Sequence, residues 1–192
     1  HRRSSAASDV YKRQTIYITV VDKDQMAVSL IYSIFHGFGS GIASEKFGVL
    51  FQNRGAGFNL IPGHVNEYGA HKRPLHTIIP AIIKENGIVK MPFGVMGGQY
   101  QAAGHARVLS NIYDFEMDIQ AALDSPRSFF ENGSLRIERG YDKNTVQKLS
   151  SLGHQIDQNI GPIGGAQAIK IHESGVLEGA SDPRKDGCAL GY

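Results

Sequence analysis

Cysteine is nearly absent from this sequence: Cys188 stands alone, which excludes an intrachain disulfide and leaves the redox compartment unreadable. No window approaches the roughly 18 to 20 consecutive apolar residues that cross a bilayer. No basic, apolar, small-residue order at the start marks a signal peptide. Charge of one sign is also scarce. The formal net charge is +2, and residues 1–14 hold four basic side chains, Arg2, Arg3, Lys12 and Arg13, against the single acid Asp9. Without them the body carries 16 basic and 17 acidic side chains, so no positive field draws phosphate backbones and nucleic acid is not an expected partner. Metal-ligand spacing is missing as well. None of the histidines from His36 to His172 falls in an HExxH or similar pattern, so they read as surface or satisfied polar residues, with neither metal nor other cofactor expected.

What is present suffices for one sizeable core: 192 residues, 41% of them hydrophobic. The 23 glycines follow no collagen-like period and sit among apolar runs, which marks tight turns and close backbone approaches rather than low complexity. The opening HRRSSAASDVYKRQ has no apolar period and stops where the β-branched run TIYITVV begins. Residues 1–14 therefore read as a non-native or disordered tail, and residues 15–192 as one unit with no repeat and no linker.

Two strand-like runs, residues 15–21 and 27–33, flank the turn-former DKDQM and predict a hairpin. GVLFQN follows the glycine-rich HGFGSG as a third apolar piece, and HTIIPAII and GIVKMPFGV flank KEN as a second hairpin, so strands are expected to dominate the first half. From Gln101 the spacing turns helical, with Ala106, Leu109, Ile112 and Tyr113 on one stripe, followed by a short helix in DIQAALDS. SLRIERG reads as a strand, DKNTVQKLSSLGH as a helix ending at Gly153, and AQAIKIHESGVLEGAS as a closing hairpin. Strands buried under amphipathic helices make an α/β sandwich.

If Val21 pairs with Ala27, the antiparallel register sets Thr15 opposite Ser33, and two hydroxyls meet. A slip of one residue pairs Thr15 with Tyr32 instead. GFGSGIAS lacks the Gly-Lys-Ser/Thr of a phosphate loop and reads as a turn. Lys72 and Arg73 are positioned either to guide an anionic substrate or simply as solvated loop residues.

Several pieces in one order resemble the small subunit of the gamma-glutamyltransferase family: TIYITVVDKDQMAVSLIYS, FGSGI, GVLFQN, KRPLHTIIPAI, the diglycine of GVMGGQ, DSPR, GASDPRKDG and the final GY. The resemblance covers nearly all of residues 15–192. It implies the four-layer αββα fold of N-terminal-nucleophile hydrolases, with a large subunit cut from the same precursor as partner. It further implies self-cleavage just before Thr15, which then serves as catalytic nucleophile with its own α-amino group as base. Ser33 matches the hydroxyl that orients the nucleophile, where the family usually has threonine, and Gly97 and Gly98 match the oxyanion-hole pair.

At the substrate end the sequence departs from the family. A Ser-Ser pair after KRPL that grips the glutamate α-carboxylate is replaced by His76 and Thr77. Where the family binds the α-amino group with Asn, Gln and Asp, this chain has Phe35, Arg54 and Gly57. Arg54 would repel an ammonium or grip a carboxylate. The implied activity is cleavage of gamma-glutamyl amides such as glutathione. The alternatives are a cephalosporin- or glutaryl-type acylase of the same architecture, or a truncated relative without catalysis.

Overall fold

The computed structural model describes residues 15–192, and the expected tail, residues 1–14, lies outside them. Strands β1 (Thr15–Val21) and β2 (Ala27–Ser33) form an antiparallel ribbon with Val21 opposite Ala27 and Thr15 opposite Ser33. The turn explains the register: Asp22 Oδ1 accepts hydrogen bonds from the Asp24 and Met26 N–H groups at 2.9 and 2.8 Å, so the loop length is locked by one carboxylate.

A four-stranded antiparallel sheet in the order β3-β4-β8-β9 lies against the ribbon. Its members are β3 (Pro80–Glu85), β4 (Ile88–Met96), β8 (Gly165–Ile171) and β9 (Leu177–Ser181). Residues 91–96 of β4 are buried on both faces, as a strand sandwiched between two layers must be. On one face Gly94 receives the buried Tyr17 ring of β1 so closely that a Cβ there would stand 2.4 Å from the nearest ring carbon. Tyr17 in turn shares a 2.8 Å hydrogen bond with Ser29, and burial raises its phenol pKa. On the other face lie helices α1 (Tyr100–Tyr113) and α2 (Ile119–Asp124), whose Val108, Ile119 and Leu123 join Phe93, Val95 and Ala166 in the core. A smaller sheet, β5 (Ser128–Glu131), β6 (Ser134–Ile137) and β7 (Ile156–Asp157), and helix α3 (Lys143–Ser151) complete the chain. Ribbon, sheet and helices make consecutive β, β and α layers of the expected sandwich.

The expectation that strands dominate the first half fails between residues 34 and 79. GVLFQN forms only an isolated bridge, Ala43 to Leu50, and the segment's regular structure is a single 3-10 turn, Arg54–Gly57. The stripe on α1 needs correction in part: Leu109 and Ile112 pack against the core as expected, but Ala106 and Tyr113 are exposed, and Gln101, Gly104, His105, Val108 and Asn111 are the buried face. Small and polar residues fill the close approach of helix to sheet. His105 is satisfied there as a neutral ring, Nδ1 on the Gln101 carbonyl at 2.6 Å and Nε2 accepting the Val95 N–H at 3.3 Å, and burial lowers its pKa.

Candidate functional site

The ribbon's open end carries the two paired hydroxyls. Thr15 Oγ1 donates to Ser33 Oγ at 3.1 Å. Ser33 Oγ also accepts from the Phe35 N–H at 3.1 Å and from Arg54 Nη2 at 3.3 Å. Phe35 holds a positive φ of 76°, uncommon for a bulky residue, and its ring supports the Arg54 guanidinium at 5.1 Å. Burial draws the Arg54 pKa below its ordinary value.

Gly97 and Gly98 join β4 to α1 with φ of 136° and 62°. Their carbonyls accept the Tyr100 and Gln101 N–H groups at 3.3 and 3.2 Å, so they point into the helix and the diglycine sits at its N-terminal end. A helix N-terminus carries a positive partial charge, the local requirement for holding an oxyanion. A Cβ on Gly97 would lie 2.8 Å from the Gly164 Cα, so the position admits glycine alone.

A cavity of about 210 Å³ opens between these elements. Thr15, Ser33, Phe35, Arg54, Gly57, Thr77 and Gly98 line it, together with His36, Leu75 and Gln99. Most of the candidates thus converge on one space. Gly97 and the exposed His76 do not line the cavity. Among the described residues no three His, Cys, Asp or Glu side chains gather as a metal site.

Sequence reasoning missed His36 as a wall residue. It stacks on Phe35 at 4.9 Å and accepts or shares a 2.6 Å hydrogen bond with the Asn53 amide, a contact that no spacing announces. The DSPR and GASDPRKDG pieces were legible only as likeness. In the structure they form one buried ionic cluster: Arg127 pairs with Asp182, and Arg184 with Glu138 at 2.6 Å. Arg127 also donates to the Ile163 carbonyl at 2.8 Å, and Glu138 accepts the Ile163 N–H at 2.6 Å. The cluster therefore fixes the strap that carries Gly164 onto Gly97.

The family model of gamma-glutamyltranspeptidase matches residues 1–192. The chain belongs to the gamma-glutamyltranspeptidase family. Among curated relatives, the glutathione hydrolase-like YwrD proenzyme of Bacillus subtilis is 37% identical over 92% of this chain and 35% of that protein. Among solved structures, cephalosporin acylase from Bacillus halodurans aligns with a TM-score of 0.84 and 38% identity, over 92% of this chain and 34% of that one. The gamma-glutamyltranspeptidase of Pseudomonas nitroreducens complexed with L-DON aligns at 0.83 and 26% identity, over 92% of this chain and 98% of the matched chain. The chain spans about a third of the length of the curated relatives it matches. Gamma-glutamyltranspeptidase membership also accounts for the layer order, because the solved family structures share the fold.

Proposed function

We propose that this chain is the catalytic part of a self-cleaving amidohydrolase and acyltransferase, with Thr15 as nucleophile, acting on gamma-glutamyl amides such as glutathione or on related acyl amides. The observation that carries the reading is the Thr15 hydroxyl, hydrogen-bonded to Ser33 at 3.1 Å and facing the same cavity as Gly98. A threonine hydroxyl is a weak nucleophile until a base takes its proton. Freed by cleavage, the Thr15 α-amino group has a reference pKa near 8 and supplies that base from the same residue.

In maturation, Thr15 Oγ1 attacks the carbonyl of residue 14, the C–N bond breaks as the ester C–O bond forms, and water hydrolyses the ester to release the amino terminus. In turnover, the same oxygen attacks the substrate amide while the α-amino group takes the hydroxyl proton. The oxyanion develops toward the N-terminal end of α1 and Gly97–Gly98. The proton passes to the leaving amine, and water or an acceptor amine then releases the acyl group.

The partner in this reading is a large subunit from the preceding part of the precursor. Support comes from relatives that are proenzymes three times as long, and from the ribbon's outer face. There Ile16, Ile18, Val20, Val28, Leu30 and Tyr32 stand 46–63% exposed, a row of apolar side chains suited to a further layer. The replaced residues Arg54 and Thr77, together with the likeness to a cephalosporin acylase, favour acylase specificity as the second reading.

The test uses the full-length proenzyme. Thr15→Ala should stay a single uncleaved chain with no turnover, and Thr15→Ser should retain part of both steps, because serine keeps the attacking oxygen and loses only the methyl that restrains χ1. Intact-mass and peptide mass spectrometry decide: an alanine variant that still splits between residues 14 and 15, or an acyl adduct on another residue, refutes the assignment.

A further inference from the structure

The cavity beside Thr15 contains a cation with hydrogen-bonding capacity to spare. A hydroxyl oxygen offers two lone pairs, yet three donors converge on Ser33 Oγ: Thr15 Oγ1 and the Phe35 N–H at 3.1 Å, and Arg54 Nη2 at 3.3 Å. Arg54 makes the longest of the three. Its Nη1 is buried and, among the described residues, has no hydrogen-bond partner. No aspartate or glutamate is among the described residues lining the cavity, so nothing there neutralises the guanidinium. Its position is nevertheless specified. The Phe35 ring holds it at 5.1 Å, and Phe35 does so from a strained positive φ of 76°. A held, partly desolvated, uncompensated guanidinium is the arrangement that recognises a planar anion.

We propose that Arg54 is the carboxylate clamp of the acyl-donor pocket, selecting amides of short dicarboxylic acids that carry no ammonium group beside the free carboxylate. The inference rests on Thr15 as nucleophile and sharpens what it attacks. Two hydrogen bonds, through Ser33 Oγ, separate the guanidinium from Thr15 Oγ1. A carbonyl carbon placed for attack at about 3–3.5 Å from that oxygen therefore lies only a few bonds from a carboxylate held by Nη1 and Nη2. Malonyl, succinyl and glutaryl groups are of a length to span that gap. The α-ammonium of a gamma-glutamyl donor sits on the same carbon as that carboxylate, so it is carried close to the guanidinium where no acidic side chain of the lining offsets the repulsion.

The test has two arms on the matured full-length enzyme. In the first, kcat/KM is measured for succinyl, glutaryl, butyryl and gamma-glutamyl p-nitroanilides. Succinyl or glutaryl should exceed butyryl by about 10- to 100-fold, the range of a hydrogen-bonded charge, and gamma-glutamyl should show no advantage over glutaryl. Arg54→Met should bring the succinyl-to-butyryl ratio to near one, and Arg54→Lys should restore part of it. Because a ratio is read, loss of folded protein does not mimic the result. In the second arm, calorimetry compares succinate with butyrate, and succinate alone should bind, in an Arg54-dependent way. Thr15-dependent turnover with no preference for the carboxylated donors overturns the clamp and leaves the nucleophile standing. Succinate binding through Arg54 without any acyl adduct on Thr15 overturns the nucleophile and leaves the clamp standing. Failure of both the ratio and the binding overturns the clamp outright.

Discussion

Ser33 Oγ receives the Thr15 hydroxyl, the Phe35 N–H and Arg54, so its removal acts on orientation and not on bond formation. Ser33→Ala should slow maturation and turnover by about 3- to 10-fold, the worth of one ordinary hydrogen bond, and Ser33→Thr should preserve both. Single-turnover kinetics of the two variants check this. In the proposed site Arg54 would also act electrostatically: a cation near a free Thr15 amine would disfavour the protonated amine and lower its pKa. Arg54→Met should therefore raise that pKa and move the acid limb of the kcat/KM profile to higher pH, whereas a limb that stays put would mean that the amine is not the base. Gly97→Ala should lower stability by about 1–3 kcal/mol, because φ of 136° strains any side chain and the Gly164 Cα stands in the way. At this scale the sequence was informative about residue types and silent about meeting places. Thr15 and Ser33 were legible as partners because a turn of fixed length sets their register, whereas the approach of Arg54 to Ser33, 21 residues away, depends on an irregular segment with no periodicity to read.

The ribbon, the second hairpin and the closing hairpin follow from alternation that is visible in the chain, and all three form, although the second turns at residues 86–87 with Lys84 and Glu85 still paired in the strand. Residues 34–79 defeated the same rule. Their apolar side chains Phe47, Val49 and Phe51 are exposed, so hydrophobicity there reports no strand within this chain. Helix α1 was half legible: Leu109 and Ile112 pack on the core, but the face closest to the sheet holds Gly104, where a Cβ would collide with Val95 and Tyr100, and the hydrogen-bonded His105. Packing of the ribbon depends on one missing side chain. Gly94→Ala should cost about 1–3 kcal/mol by driving a methyl into the Tyr17 ring, and a thermal melt of the variant against wild type measures it. Asp118 caps α2 by accepting the Ala121 N–H at 2.8 Å, and Asp118→Ala should cost about 1 kcal/mol by the same measurement.

For the molecule as a whole, two buried groups set the acid limit of stability. Burial keeps His105 neutral with a pKa below its ordinary 6.5, so the unfolded chain takes up its proton first and stability should begin to fall as pH drops below about 6.5. Burial alone would raise the pKa of Glu138, but hydrogen bonds from Arg184, Ile163 and Arg127 outweigh it and hold the pKa below the usual 4.5. Its contribution is present above that value and lost as pH falls through the depressed one, giving a second, steeper decline. Denaturant midpoints from pH 8 to pH 3 should show both phases, and His105→Gln should remove the first. Breaking the cluster by Asp182→Ala should cost about 3–5 kcal/mol, since Arg127 is left buried without its counter-charge. The pairing of Thr15 with Ser33 matters in a further way if the chain is cut just before residue 15. New chain ends ordinarily fray, and frayed ends recover order only at an entropic cost. Here the new end would already be the terminal rung of a ladder, tied to its neighbour through backbone and hydroxyl alike. The scission would therefore create a reactive terminus without setting it loose, leaving a nucleophile whose position was paid for when the hairpin folded.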